Sequence, residues 1–310
     1  LAAAPYTYRM ESRLPIGTMT ASARRHTFSP PLLASRTIAP RLLGVGLVVY
    51  VAACHRQRPA PAPGPAPVQP PAPPAVVTVN SGSELVRAMH DRYASKWYRT
   101  LTFTQKTTVA LPSGGQIVQT WYEAAALPGA LRIDTDLSSK GGVLYARDSS
   151  YTFSAGKLVS SDARMNDLLV LGFDVYTQPA AKTEAVLRRL GFDLSRIHEA
   201  TWQERPVYVV GAMRGDTTSK QFWVDRERLL FVRMLENGRQ GHTDTRFNFY
   251  AAYGGGWVAT QVVQLVNGKR RLVEQYTGVK TDVPLSPALF DPAKWATAPH
   301  WAGGTGGSRR

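Results

Sequence analysis

Beyond residue 100 the chain alternates apolar and polar residues with a period of two, which is typical of β-strands. Leu101–Val109 shows the pattern first, and Pro112-Ser113-Gly114-Gly115 then predicts a turn. About twelve strands are expected from thirteen strand-like runs. The runs are residues 101–109, 117–123, 130–136, 143–147, 151–154, 158–161, 197–203, 207–213, 221–225, 229–235, 245–253, 258–266 and 272–277. The segments between most neighbours are short, with turns expected at sites such as Arg205-Pro206. Short connections predict antiparallel pairing, because parallel neighbours need a longer crossover.

Helical patterns occur at the start and in the middle of this region. Ser81 and Glu84 have the spacing of a capping box, and apolar residues then recur on one helical face, which predicts a leading helix. Met165–Tyr176 and Lys182–Leu190, the second stopped by Gly191, interrupt the strands and predict a helical insertion.

These elements predict a mainly β (α+β) fold with an antiparallel sheet that curls or closes, since an open flat sheet rarely carries so many strands. Leu131 and Ile133 alternate with Arg132 and Asp134, which indicates a dry concave face and a wet convex one. The leading helix and the insertion are the apolar elements available to cover the concave face, as plug and lid. The predicted lid residues are Leu168, Leu169, Phe173 and Leu187.

The amino-terminal region, residues 1–53, has the pattern of a secretory signal. Six arginines and one glutamate precede the uncharged run Leu42–Ala53. Twelve helical residues span about 18 Å, which is short of the roughly 30 Å hydrocarbon core of a membrane. The run ends in Val51-Ala52-Ala53-Cys54, which resembles the bacterial lipobox and holds the chain's single cysteine. The alternative, a buried structural cysteine, is disfavoured by the arginine-rich flanks.

The lipobox resemblance implies cleavage before Cys54 and acylation of that residue, and two or more acyl chains give a stable membrane anchor. His55 stands where enteric bacteria place an inner-membrane retention aspartate, so the expected location is the outer membrane, periplasmic face. Residues 54–79 form a spacer with nine prolines in Pro59–Pro74, able to extend roughly 50 Å. A Pro-rich docking ligand is the alternative reading of this spacer. Residues 80–302 form one domain, and residues 303–310 a disordered tail.

Composition and charge exclude several classes of protein. The 310 residues carry a formal charge of +15, which falls to +10 once the arginines and glutamate of the first 53 residues are removed. The remaining charge has no dense stripe, so we expect no nucleic-acid partner and a protein that works near anionic lipid head groups. One cysteine excludes an intramolecular disulfide, a CxxC pair and a multi-cysteine zinc site.

Motifs for catalysis and metal binding are incomplete. His198-Glu199 begins a zinc motif whose second histidine is replaced by Trp202, and Ser154 and Lys157 have S-x-x-K spacing without a following KTG. The six histidines lack metal spacing, and Lys269-Arg270-Arg271 indicates either a phosphate contact or, more simply, a solvated hairpin edge. We therefore predict no enzyme activity, no catalytic residue, no metal and no cofactor.

Four segments resemble the LolA/LolB-like outer-membrane lipoprotein-sorting proteins over about 200 of the 310 residues. They are Phe103-Thr104-Gln105, Pro128–Asp134, Phe222–Asp225 with the following Leu229–Met234, and Phe290-Asp291-Pro292. The resemblance implies an incomplete antiparallel barrel around a hydrophobic cavity with a helical lid, which binds acyl chains of lipoproteins or other lipids. Lipidation at Cys54 is more similar to LolB, the anchored acceptor, whereas the long spacer and large insertion depart from both proteins.

The same resemblance predicts a set of cavity-lining residues, which the residue pattern alone would place in a closed core. They are Leu101, Phe103, Leu131, Ile133, Phe153, Phe222, Val224, Val232, Met234, Phe247, Phe249 and Val262. The alternatives to a lipid carrier are an envelope sensor of the RseB type, which acts through a protein partner, and a hydrolase with polar residues converging in a pocket. The expected partners are acyl chains, the membrane through the anchor, and an envelope protein if the sensor reading holds.

Overall fold

The computed structural model describes residues 77–303, except 139, 239 and 240, and these fall within one compact unit. The predicted signal, Cys54, nearly all of the spacer and most of the tail lie outside the described residues. Within the described part, none of the helices has the length and apolar character needed to cross a bilayer.

The described part of the chain contains thirteen strands, and each predicted strand overlaps one of them. Their bounds are β1 Thr100–Ala110, β2 Gln116–Ala126, β3 Ala130–Asp136, β4 Gly141–Ala146, β5 Ser149–Ser154, β6 Lys157–Asp162, β7 Ile197–Trp202, β8 Arg205–Val210, β9 Gln221–Asp225, β10 Phe231–Gly238, β11 Gly241–Tyr253, β12 Gly256–Val266 and β13 Lys269–Thr281. The predicted antiparallel pairing is confirmed for all neighbouring strands.

The strands form one sheet in the order β6-β5-β4-β3-β2-β1-β13-β12-β11-β10-β9-β8-β7. The first and last strands pair in its middle, while β6 and β7 are the two edges within the described residues. The segment between β6 and β7 therefore runs from one edge to the other. The sheet is an incomplete barrel, as expected.

The sheet is strongly curled. Thirteen flat strands at about 4.8 Å spacing would extend roughly 58 Å. Tyr145 of β4 and Tyr208 of β8 nevertheless belong to one continuous apolar cluster together with the helices. That cluster fills the concave side of the curl.

The leading helix α1, Gly82–Tyr93, begins where the capping box predicts. The Ser81 hydroxyl accepts a hydrogen bond from Glu84 N at 3.1 Å, and the Glu84 carboxylate accepts one from Asn80 N at 2.8 Å. The apolar stripe of α1 is buried in the main cluster. The helix is thus the predicted plug.

The predicted insertion consists of α2, Asp167–Gly172, one 3₁₀ turn, Asp174–Tyr176, and α3, Ala180–Arg189. Gly191 follows α3 with a φ of 91°, the left-handed conformation in which glycine commonly ends a helix. The insertion contacts α1, so plug and lid form one layer.

The turn expected at Arg205-Pro206 was placed wrongly. Gln203 and Glu204 make it, with φ values of 49° and 61°, and Pro206 already pairs with Thr201 inside β8. Left-handed residues other than glycine and asparagine give little sequence signal, whereas a proline at the start of a strand is tolerated.

The convex face over β3 is dry, contrary to expectation. Arg132 and Asp134 do lie on the face opposite Leu131 and Ile133, but they are only 4% and 2% exposed. The carboxy-terminal segment carrying Trp295 covers them. Local alternation cannot predict burial by a segment that lies some 160 residues later in the chain.

Candidate functional site

The concave face carries most of the residues that the sequence predicts there. Ile133 is partly buried and packs against the main apolar cluster. Eight other predicted cavity residues are buried in that cluster: Leu101, Phe103, Leu131, Phe222, Val224, Met234, Phe247 and Val262. They come from six strands. The curl of the sheet brings them together against the helices.

Phe153 was wrongly placed on this face. It pairs with Gly142 on the convex side, and its ring stacks on Trp295 with centroids 4.3 Å apart. The β5 segment is too short for its alternation to show which face is the inner one.

Phe249 was also wrongly placed, since its side chain is 71% exposed. Its φ of 55° breaks the alternation, so Phe247 and Tyr250 both contact the core while Phe249 points away from it. Val232 is only half-buried, at the register irregularity between Phe231 and Arg233.

The four predicted lid residues pack into the same cluster. Leu169 and Leu187 are 1% and 0% exposed, and the half-buried Leu168 and Phe173 lie against the cluster. Gly172 of α2 approaches the Phe247 ring, which a Cβ on Gly172 would contact at 3.4 Å. The lid therefore fills the concave side by direct contact with the strands.

A small number of polar contacts tie the insertion to the rest of the domain. The Tyr176 hydroxyl accepts a hydrogen bond from Phe231 N at 3.0 Å, and its ring stacks on Trp97 with centroids 4.0 Å apart. The Lys220 ammonium bonds the Asp167 carboxylate at 2.5 Å. Asp174 accepts from Gly129 N at 2.8 Å. These contacts reach β10, the residue before β9 and the turn between β2 and β3, so together they fix the insertion across the concave face.

The Asp174 carboxyl is fully buried, and its Oδ2 has no hydrogen-bond partner among the described residues. Burial raises the pKa of Asp174 to about 7, although the Gly129 N–H opposes the shift. The contact between insertion and sheet therefore depends on a carboxyl group that titrates near neutrality.

A polar patch on the inner face was missed by the sequence analysis. Its members are Gln105, Thr107, Glu123, Glu274 and Tyr276, with Gln105 Nε2 donating to Thr107 at 2.8 Å and the Tyr276 hydroxyl donating to Glu274 at 2.9 Å. Burial raises the pKa of Glu123 and of Glu274, and the neighbouring Glu274 raises that of Glu123 further. Glu123 occupies an inward-pointing position in the period-two pattern of β2. That pattern could therefore have identified the Glu123 carboxyl as a member of the patch.

Two clefts of the described residues lie outside the predicted cavity. Each has a volume of about 370 Å³; one is bounded by Ser81, Arg188 and Phe192, and the other by Arg132, Lys140 and His300. Neither is lined by a predicted cavity residue. The concave space is occupied by plug and lid, as a packed core.

The incomplete catalytic motifs are separated from these features. His198 lies in β7, and its Nδ1 is 3.2 Å from the Ala212 carbonyl. Ser154 pairs with Lys157 at the exposed β5–β6 hairpin. Lys269 and Arg270 are exposed at the start of β13, whereas an Arg271 Nη1–H donates to the Ala110 carbonyl. Within the described residues, no cluster of three or more metal-ligating side chains is found.

Several solved structures are similar to this chain. It matches no protein-family model and no curated protein. A LolA superfamily protein from Nitrosomonas europaea is 13% identical, with 66% of this chain and 97% of the other covered and a TM-score of 0.44. An outer-membrane lipoprotein-sorting protein domain from Vibrio parahaemolyticus is 10% identical, with coverages of 69% and 98% and a TM-score of 0.47.

A DUF1329 family protein from Desulfovibrio piger is 13% identical, with coverages of 68% and 95% and a TM-score of 0.45. Two of the three structures bear the family name that the sequence resemblance suggests.

Proposed function

We propose that this chain is a lipid-anchored, periplasm-facing binding protein that takes up acyl chains of lipoproteins or other lipids at its concave face. It serves lipoprotein sorting or lipid transport at the outer membrane, and it binds and releases its ligand without a chemical step or a cofactor. The acyl chain enters by displacing the insertion.

One observation carries the proposal: the apolar concave face is covered by a discrete segment that joins β6 and β7, the two edge strands of the sheet within the described residues. Such a segment can move away while all thirteen strands stay paired. Its buried leucines and the Phe173 ring contact the strands through apolar surface that an acyl chain could contact in their place. Each methylene buried contributes about 0.8 kcal/mol, so a long chain offsets the lost lid contacts.

The anchor and spacer support the envelope setting of this proposal. An acylated Cys54 would hold the domain at a membrane, and the Pro-rich spacer would let it reach ligands some distance from the surface. A net charge of +10 after signal removal favours work beside anionic head groups.

Loosening the lid tests the displacement step. Tyr176→Phe removes the bond to Phe231 N and keeps the stacking on Trp97, at a cost of about 1 kcal/mol to the closed state. We expect uptake of a fluorescent C16 fatty acid to become about fivefold faster in stopped-flow measurements.

Tyr151→Phe is the matched control, because Tyr151 packs on the convex side beside Phe153 and Trp295 and should leave uptake unchanged. Equal rates in Tyr176→Phe and the unchanged chain would refute displacement. Absence of acyl binding in every variant, with a membrane regulator recovered by cross-linking, would establish the sensor function instead.

A further inference from the structure

We propose that the cleft between the convex face of β2–β3 and the carboxy-terminal segment binds a phosphate group. This cleft, here called the strap cleft, is lined among others by Tyr122, Arg132, Asp134, Lys140, Trp295 and His300. It lies on the opposite face of the sheet from the acyl-chain site, so the two proposals stand independently.

The walls of the strap cleft are held rigidly. Trp295 Nε1 donates to the Lys140 carbonyl at 2.9 Å, and Arg132 Nη2 donates to the Trp295 carbonyl at 3.2 Å. Gly142 lies directly beneath the Trp295 ring, and a Cβ there would come within 2.9 Å of it and 2.1 Å of the Ile133 carbonyl. Residue 142 must be glycine for the segment to lie this close.

The charges of the cleft favour an anion. Arg132 forms a fork with Asp134, at 2.8 and 2.9 Å, and stacks over the Trp295 ring at 3.9 Å. His300 Nε2 lies 3.2 Å from Asp134 Oδ2. Burial alone would raise the pKa of Asp134, but hydrogen bonds from His300 and Arg132 outweigh burial and hold it below the usual value. Since Arg132 neutralises Asp134, the Lys140 ammonium leaves a net positive charge.

Two enclosed N–H donors beside the cleft lack an acceptor. Within the described residues, Arg132 Nη1 and Trp301 Nε1 have no hydrogen-bond partner. Trp301 stacks on His300 with centroids 5.5 Å apart and meets Tyr122 edge-on, which places it beside the cleft wall. Unpaired buried donors are costly, so a bound group with several acceptor oxygens would stabilise this arrangement.

Phosphate matches these requirements. It offers several acceptor oxygens, and its charge complements the ammonium of Lys140, which donates to the Ala296 carbonyl at 3.0 Å in the cleft wall. About 370 Å³ accommodates a phosphate with a few attached carbons, such as a glycerol or sugar unit packed between Tyr122 and Trp295. The same group is available from soluble phosphate esters and from phospholipid head groups.

The test is ¹⁹F NMR of the full chain labelled with 5-fluorotryptophan, in a phosphate-free chloride buffer of constant ionic strength. The Trp295 and Trp301 resonances are assigned with phenylalanine variants. The probes are inorganic phosphate, glycerol 3-phosphate, and vesicles of phosphatidylcholine with or without phosphatidic acid. We expect saturable shifts of these two resonances at micromolar to millimolar phosphate.

Lys140→Gln should weaken binding at least about fivefold, since it removes the excess charge. Lys157→Gln is the matched control, an exposed lysine of β6 with the same charge change. Trp301→Phe removes one unpaired donor and should weaken binding about threefold, whereas Trp121→Phe, whose indole already donates to Gln119, should not. Unfolding midpoints of all variants check that each one folds.

A response to glycerol 3-phosphate alone would support the site with a soluble ester as its source, and a response confined to phosphatidic acid vesicles would support it with a lipid source. Absence of a saturable shift would mean that only water occupies the cleft and would overturn the proposal. Equal weakening by Lys140→Gln and Lys157→Gln would also overturn it, since the effect would then be general charge.

Discussion

At the residue scale, Asp174 connects the insertion to the turn between β2 and β3 through a carboxyl group that water does not reach. The folded pKa of about 7 lies above the unfolded value of about 4. The folded state therefore holds the proton more tightly than the unfolded chain. The stability from this protonation is fully present below pH 4 and is lost as pH rises toward 7.

Asp174→Asn should therefore be more stable than the unchanged chain at pH 8, by about 1–3 kcal/mol, because the neutral amide still accepts from Gly129 N. The difference should vanish near pH 4. Urea unfolding at pH 4, 6 and 8 measures both values.

Asp216→Asn is the control with the opposite sign. Hydrogen bonds from Ser219 and Thr218 lower the pKa of Asp216, so its contribution is present above the unfolded pKa and lost as pH falls. Its removal should destabilise the chain at pH 8. A less stable Asp174→Asn at pH 8 would show that the ionised carboxylate holds the insertion.

At the element scale, α1 is the part of the domain whose local structure and packing both follow from a short stretch of sequence. Its capping box, its apolar stripe and the burial of that stripe all agree with prediction. The helix lies against the concave face of the sheet because its apolar stripe is buried there against apolar strand residues.

Leu85→Ala should lower the free energy of unfolding by about 2–5 kcal/mol, because Leu85 is fully buried where plug and sheet meet. Arg87→Ala is the control on the exposed face of the same helix, where its ion pair with Glu184 is long at 3.8 Å, and should cost about 0.5 kcal/mol or less. Chemical denaturation compares the two. Similar losses in both variants would contradict the assignment of α1 as the plug.

At the scale of the whole molecule, the domain covers its own apolar face, and the sequence predicts a lipid anchor that precedes this domain. Cys54 lies outside the described residues, so the anchor stays a prediction. The spacer and the signal share that status.

Cys54→Ser should abolish acylation of the chain, because serine does not receive the diacylglyceryl group, and it should leave the signal uncleaved at this site. Fractionation with a carbonate wash separates anchored from soluble protein, and mass spectrometry of the mature chain detects the acyl groups. A mature unchanged chain that does not begin at an acylated Cys54 would refute the lipobox.

The sequence by itself determined the strands, their antiparallel pairing, the capped leading helix and the insertion, because period, turns and caps are properties of neighbouring residues. It also identified most of the concave face, because residues two apart in a strand, such as Leu131 and Ile133 of β3, point to the same side of the sheet. It could not place Phe249, whose left-handed backbone reverses the expected direction, nor Phe153, whose partner Trp295 is far away in sequence.

Tertiary structure alone decided what fills each face of the sheet. The lid packs against the concave residues as a core, and in the proposed function an acyl chain replaces it, whereas alternation cannot distinguish a packed interior from an empty one. The carboxy-terminal segment buries Arg132 and Asp134 and forms the strap cleft. Both outcomes arise from contacts between segments distant in the chain, and these depend on the curl of all thirteen strands rather than on any local pattern.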